Sequence, residues 1–306
     1  MDSLFDRYFD RCQDAQIMTK PKLEVIIPSV NGLFLLKKHL PGVVAYSGKD
    51  TTVTVVDDGS VDDTAEYLAA NFPKVKCLHQ DKNLGFTKSV NHGFRESMAD
   101  LVVLLNNDVA IKKNYLAAAL KHFENDRVFA VTLNEINSSW PLVSFSGKLQ
   151  YLRGEDKSVP RYSAWASGGS AIFRKKIWDD LGGFDEVYSP GYWEDIDIGW
   201  RAWKAGYQII WEPGAKVEHQ HESSFSKLNQ EYVSLVKQRN ELIFNWKCLS
   251  DPDLRREHIA FLLRHTLAHP GYFKVILAAL GKLPLAHLEA KLTDRQVLSL
   301  VNQPVS

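Results

Sequence analysis

The sequence predicts an α/β fold: a mostly parallel sheet flanked by helices, followed by a C-terminal helical segment. Three observations carry this expectation. Short β-branched or fully apolar runs alternate with amphipathic stretches from residue 21 to residue 217. Clusters of acids, amides and glycine follow the ends of several of these runs. Beyond about residue 228 the pattern turns helical, with basic and apolar residues mixed. At 306 residues the chain can bury a full core in one or two domains.

Residues 1–20 read as a short amphipathic helix with Leu4, Phe5, Tyr8, Phe9 and Cys12 on related faces. After Pro21, Leu23 to Ile27 is a buried strand that ends at Pro28. Leu33, Leu36, Leu40 and Val44 then keep helical spacing. Thr52 to Val56 is a β-branched strand closed by the Asp57-Asp58-Gly59 turn. Asp62 and Asp63 fall near the next helix start, where capping and the dipole favour acids. Val75 to Leu78 gives a third strand and Gly85 to Met98 a helix. Leu101 to Leu105 is apolar enough to be covered on both faces. A helix over 112–124 and a strand over 128–133 complete the alternation, which implies βαβ units. Turn signals at Gly147, Gly154 and Gly168-Gly169 make 134–173 a hairpin and loop-rich insertion. A short helix over 174–181 precedes a strand over 207–211. The expected division is an N-terminal segment 1–20, an α/β domain 21–228 and a helical extension 229–306.

Lys+Arg and Asp+Glu both number 37, so no global charge excess points to nucleic acid as a partner. Cys12, Cys77 and Cys248 are odd in number and far apart, unlike a disulfide framework or a zinc site. A reducing, cytoplasmic setting is expected. Met1 to Asp6 lacks the basic and apolar regions of a secretion signal, and no run reaches the ~20 apolar residues that span a bilayer.

Ligands of parallel sheets sit beyond the carboxyl ends of strands. Pro28, Asp57-Asp58 and Asn106-Asn107-Asp108 all follow such ends. The two aspartates at 57 and 58 suit a nucleotide base and ribose, although a plain turn with an Asx cap has the same residues. Asp108 offers an oxygen ligand to Mg²⁺ or Mn²⁺, and His219-Gln220-His221 offers nitrogen. Glu194, Asp195 and Asp197 crowd one helix start beside Trp193 and Trp200. The helix dipole explains acids there, and a general base is the functional alternative. Asp197 fits an i,i+4 pair with Arg201. Gly168-Gly169-Ser170 either bends the chain or lets backbone approach a ligand.

Taken in order, Val25-Ile26-Ile27-Pro28, Val55-Val56-Asp57-Asp58-Gly59-Ser60, Asn83-Leu84-Gly85-Phe86, Asn106-Asn107-Asp108, Gly168-Gly169-Ser170, Gly182-Gly183-Phe184-Asp185, Trp193-Glu194-Asp195 and Val217-Glu218-His219 resemble the family 2 glycosyltransferases of GT-A fold. Rhamnosyltransferase-like bacterial members are the most similar branch, and the likeness spans roughly residues 22–225. It implies inverting, metal-dependent hexosyl transfer from a dTDP- or UDP-linked sugar to a hydroxyl of a glycan or lipid-linked glycan, in cell-envelope polysaccharide synthesis. Pro28, Ser29, Val30, Asp57, Asp58, Gly85 and Asn107 would then hold the donor. Asp108 and His219 would bind Mn²⁺ or Mg²⁺, with His221 competing for the second position. Asp195 would be the base, and Trp193, Glu194 and Gly169 would shape the acceptor site. Asn106 and Asn107 depart from the acids common in the family's metal motif. The C-terminal segment is expected to pack on the α/β domain, with peripheral contact to the inner membrane face and a homodimer left open. Two other readings stay open: a nucleotidyltransferase, which lacks its glycine-rich basic loop here, and an inactive nucleotide-sugar-binding protein.

Overall fold

Apolar and β-branched runs become strands wherever helices can cover both faces, and the N-terminal half follows this rule closely. The structure, a computed structural model, describes residues 21–136, 139–155, 157–220, 229–282 and 290–305. Three strands and three helices open it: β1 (Leu23–Ser29), α1 (Leu33–Tyr46), β2 (Thr52–Asp57), α2 (Thr64–Asn71), β3 (Lys76–His79) and α3 (Phe86–Glu96). Then come β4 (Leu101–Leu105), β5 (Val109–Ile111), α4 (Ala117–Leu120) and β6 (Val128–Glu135). The hairpin β7 (Pro141–Phe145) and β8 (Leu149–Arg153) forms its own two-stranded sheet. The α/β portion ends with β9 (Arg161–Tyr162), β10 (Ser170–Arg174), α5 (Lys175–Asp180), α6 (Glu194–Lys204) and β11 (Gln208–His219).

The main sheet runs β3-β2-β1-β4-β10-β6-β11-β5, with β9 also on β11. The run β3-β2-β1-β4 is parallel throughout, as is the β6–β11 pair. β10 is inserted antiparallel between β4 and β6. Register decides where the strand tips fall. Pro28 pairs with Val56 and Ser29 with Asp57, so β1 and β2 end side by side. The core is continuous across the sheet, and Phe94 stacks on Trp178 at a ring separation of 3.8 Å.

Some expectations change. The helix expected over 112–124 shrinks to α4 followed by a 3₁₀ turn, Lys121–Glu124. Asn114 takes a positive φ of 64°, which stops helix propagation just upstream. β5 was not foreseen, being three residues long. The strand expected over 207–211 continues to His219 as β11, with a register shift between Glu212 and Lys216. Pro213 and Gly214 occupy that irregularity, where a missing donor and a missing side chain are tolerated. The helix expected over residues 1–20 and the histidine at 221 lie outside the described residues.

Four helices follow: α7 (Gln230–Cys248), α8 (Pro252–Ala268), α9 (Phe273–Leu280) and α10 (Asp294–Val301). Each start except that of α9 is capped by a side chain. Asn229 accepts from the Glu231 and Tyr232 amides, Asp251 from those of Asp253 and Leu254, and Thr293 makes a capping box with Gln296. α10 is tied down by its buried Asp294, which accepts from Lys204 Nζ at 2.6 Å and from the Ser250 and Asp251 amides at 2.6 and 2.7 Å. Among the described residues no helix is long and apolar enough to cross a membrane.

Replacing Asp294 by Ala leaves the Lys204 charge buried without its counterion and is expected to cost about 3–5 kcal/mol. Replacing Arg256, whose partner Asp253 is exposed, is expected to cost under about 1 kcal/mol. Urea midpoints check both; equal effects would contradict the assignment of Asp294 as the anchor.

Candidate active site

Parallel strands that end together leave a crevice, and here it becomes a cavity of about 470 Å³. Pro28, Ser29, Val30, Asp58, Gly85 and Asn107 line one part. Asn107 Nδ2 donates to Ser29 Oγ at 2.9 Å, which joins the tips of β4 and β1. Asp58 is buried and draws the following loop inward: it accepts from the Leu84 amide at 2.7 Å and the Gly85 amide at 2.9 Å. Gly85 sits at φ 90°, a conformation that suits glycine. Asp57 is placed differently. Its carboxylate accepts from the Ser60 amide and meets His79 Nδ1 at 2.9 Å, so it braces the turn and does not line the cavity.

The middle of the cavity depends on the β5–β11 pairing, which sets Val109 opposite His219. Asp108, just before β5, thereby comes to 3.0 Å from His219 Nε2 through Oδ1. His219 Nδ1 lies 3.1 Å from Glu135 Oε1, and Ser170 Oγ donates to that same oxygen at 2.6 Å. Burial alone would lower the His219 pKa, but the hydrogen bonds to Asp108 and Glu135 outweigh it and raise the value to about 9. A carboxylate oxygen and an imidazole nitrogen this close, both facing the cavity, suit a divalent ion. Among the described residues no group of three or more His, Cys, Asp or Glu could hold a metal by itself. Asp108 and His219 together supply one oxygen and one nitrogen, which leaves further positions of such an ion to other ligands. Glu135 orients the histidine from behind, as outer carboxylates do at many metal sites. Gly169 lies against this pair. A Cβ there would fall 2.6 Å from Asn106 Nδ2 and 3.0 Å from His219 Cε1, so a side chain would displace Asn106 and press on the histidine.

Glu194 and Asp195 begin α6 at the far end of the cavity. They are presented by an unusual turn in which Tyr192 and Trp193 take φ values of 72° and 81°. Such non-glycine residues are strained and persist only where their surroundings hold them. The holder is Asn240 of α7, fully buried, with Nδ2 within 3.0 Å of the Tyr188, Gly191 and Tyr192 carbonyls. Asp195 accepts from the Gly168 amide at 3.1 Å and the Ile196 amide at 2.9 Å. Burial raises its pKa to about 6, opposed by those amides and helped by the negative charge of Glu135. Burial, with Asp195 adjacent, pushes Glu194 well above the carboxylate range. Its Oε2 is buried without a hydrogen-bond partner among the described residues.

The left-handed turn also decides which aromatic faces the cavity. Trp193 is buried against Phe244 and Tyr151, outside the lining, and Tyr192 takes the cavity position. Asp197 pairs with Arg201 at 2.6 Å, as the i,i+4 spacing expects. Glu135, Tyr192 and Asn240 were missed in the sequence. Glu135 ends a strand, so the strand-end logic applied elsewhere would have found it. Asn240 lies inside a long helix and carries no local signal.

Residues 24–182 match the family described as Glycosyl transferase family 2, slightly more than half of the chain. The pre-mycofactocin glycosyltransferase of Mycobacterium tuberculosis is 27% identical over 206 residues, covering 64% of this chain and 42% of that protein. The chain thus spans under half the length of this relative. The N-acetylglucosaminyl-diphospho-decaprenol L-rhamnosyltransferase of the same organism is 26% identical over 221 residues, covering 60% of this chain and 71% of that one. Among solved structures, the mannosyltransferase PcManGT of Pyrobaculum calidifontis, in complex with GDP-Man and Mn²⁺, aligns with a TM-score of 0.57 at 18% identity. That alignment covers 90% of this chain and 79% of the other, and it shows a shared GT-A architecture.

Replacing Asn240 by Leu keeps the volume but leaves carbonyls of the strained turn unpaired. Stability in urea is expected to fall by roughly 1–3 kcal/mol. An unchanged midpoint would show that the turn does not need the clamp.

Proposed function

The chain belongs to glycosyl transferase family 2, and from that membership we propose that it transfers a sugar from a nucleotide diphosphate sugar to a hydroxyl of a glycan or lipid-linked glycan, with inversion at the anomeric carbon. One observation carries the reading: Asp195, with a pKa near that of a working base, opens onto the same cavity as Asp108, His219 and Asp58. The base would lie along Pro28, Ser29 and Val30, with Asp58 using its remaining lone pairs to accept from it. The diphosphate would reach Asp108 and His219, and the sugar would pass the backbone at Gly169.

In the proposed reaction Asp195 takes the proton from an acceptor hydroxyl. The freed oxygen bonds to the anomeric carbon as the bond from that carbon to the diphosphate oxygen breaks. The proton stays on Asp195 and no covalent enzyme intermediate forms. Asp108 and His219 would hold Mn²⁺ or Mg²⁺, which when bound adds positive charge beside the departing diphosphate. Such binding requires His219 to lose the proton that Asp108 and Glu135 otherwise favour. Glu194, whose pKa burial and the adjacent Asp195 push well above the carboxylate range, is suited when it holds its proton to donate a hydrogen bond to the acceptor. Tyr192 replaces Trp193 as the aromatic wall in this reading. Residues 21–228 are read as the catalytic unit and 229–306 as a helical extension that buttresses it through Asn240.

The bound GDP-Man and Mn²⁺ in the mannosyltransferase support a nucleotide-sugar donor and a divalent ion, and the decaprenol-linked substrate named for the mycobacterial rhamnosyltransferase supports a lipid-linked acceptor. A dTDP- or UDP-sugar, a role in cell-surface polysaccharide synthesis and a cytoplasmic reaction complete the proposal.

Asp195→Asn is expected to lower transfer by about 10²–10⁴-fold while donor affinity, read by calorimetry, stays unchanged. In the wild type Asp195 must be ionised to act. kcat/KM should therefore fall as pH drops through about 6, where an ordinary Asp would give a limb near about 3.9. Wild-type transfer by the Asn variant would overturn the base assignment.

A further inference from the structure

We propose that the outer faces of α8 and α9 dock the protein onto a bilayer carrying anionic headgroups. The surface stands apart from the transfer reading, and only its consequence for the acceptor rests on that reading. On α8, Ile259, Leu263 and Leu267 recur at i, i+4 and i+8; on α9, Phe273, Leu277 and Leu280 recur at i, i+4 and i+7. All six are more than half exposed, from 53% at Leu280 to 82% at Leu267. They are not leftovers of the core, because each helix already spends another face inward. α8 buries Leu254 and His258, whose Nδ1 meets the Gly147 carbonyl at 2.7 Å, and α9 buries Val275 and Ala279. Single exposed leucines are ordinary, but two consecutive helices with ordered apolar stripes are not.

Charge selects the occupant. From Ile259 to Lys282 the sequence contains Arg264, Lys274 and Lys282 and no acidic residue, and all three cations are exposed. A second copy docking through the same face would set these cations against their own kind, with exposed Glu257, seven residues before Arg264, as the nearest acid on α8. An anionic bilayer supplies both needs: acyl chains for the stripes and phosphate headgroups for Arg264 and Lys274, which can extend outward on flexible stems. Neither helix is long enough to span, so the contact is interfacial.

The face also adjoins the cavity. Lys282, just past the end of α9, donates through Nζ to the Ser189 carbonyl at 3.3 Å, and the next residue, Pro190, lines the cavity together with Tyr192. A bilayer at α9 would therefore lie beside the end where Glu194 and Asp195 meet the acceptor. A lipid-linked acceptor could enter there without leaving its membrane.

The test is co-sedimentation of the full chain with phosphatidylcholine vesicles, with and without phosphatidylglycerol. Binding is expected only with the anionic lipid and should weaken as salt rises. Leu263→Asp combined with Leu277→Asp should lower partitioning by roughly tenfold or more. The same double variant should keep the wild-type circular dichroism and wild-type kcat/KM on a soluble acceptor. No binding by the intact chain overturns the proposal. So does undiminished binding by the double variant, or a dimer in sedimentation equilibrium that the double variant dissociates. Vesicle binding is read without any sugar transfer, so its failure is distinguishable from failure of the enzymatic reading.

Discussion

The fully buried carboxylate of Asp197 organises the end of the cavity where α6 begins. It accepts from Arg201 Nε at 2.6 Å, Lys247 Nζ at 2.7 Å and the Tyr188 hydroxyl at 2.9 Å. Arg201 continues to the Leu181 and Gly183 carbonyls at 2.5 and 2.7 Å, and Lys247 continues to Asp185 at 2.6 Å. One cluster thus joins α6, α7 and the loop that leads into the left-handed turn. Buried ion pairs contribute little net stability when complete, but losing one member costs about 3–5 kcal/mol. The value of this cluster is therefore positional: it fixes the helix start that carries Glu194 and Asp195.

Two carboxylates two residues apart have their pKa values shifted in opposite directions. Burial would raise Asp197, but Arg201 and Lys247 outweigh it and hold its pKa below the ordinary value. Its stabilising effect is present above the unfolded Asp value of about 3.9 and is lost as pH falls through the lower folded value. At Asp195 burial is the largest effect and outweighs the backbone amides, so its pKa rises to about 6. Environments that separate neighbouring acids in this way mark which one is scaffold and which is available for proton transfer.

Much of this was legible from residue order. β1, β2 and β4 are apolar runs buried on both faces, and their bounds came out within about two residues. Strand-end reasoning also brought together Pro28, Asp58, Asp108 and His219, because parallel strands ending together bring their following residues together. Other features depended on contacts that no local pattern encodes. β5 is too short to show periodicity, yet its pairing with β11 is what sets Asp108 beside His219. Asp57 and Asp58 look equivalent in sequence, and only the turn decides that one braces it while the other faces the cavity. Trp193 packs inward against Tyr151 and Phe244 from a turn of two left-handed residues that Asn240 of α7 clamps through its carbonyls, a contact far away in sequence. Glu135 is different: it ends β6, and the parallel β6–β11 pairing sets it opposite Val217, two residues before His219.

The central claim is that Asp195 drives a direct displacement in which no enzyme group bonds to the sugar. The anomeric configuration of the first-formed product reports on this most directly. Proton NMR of the new glycosidic linkage, recorded early in the reaction of the purified full chain with donor, Mn²⁺ and acceptor, should show the configuration opposite to that of the donor. A product that retains the donor's configuration would contradict it.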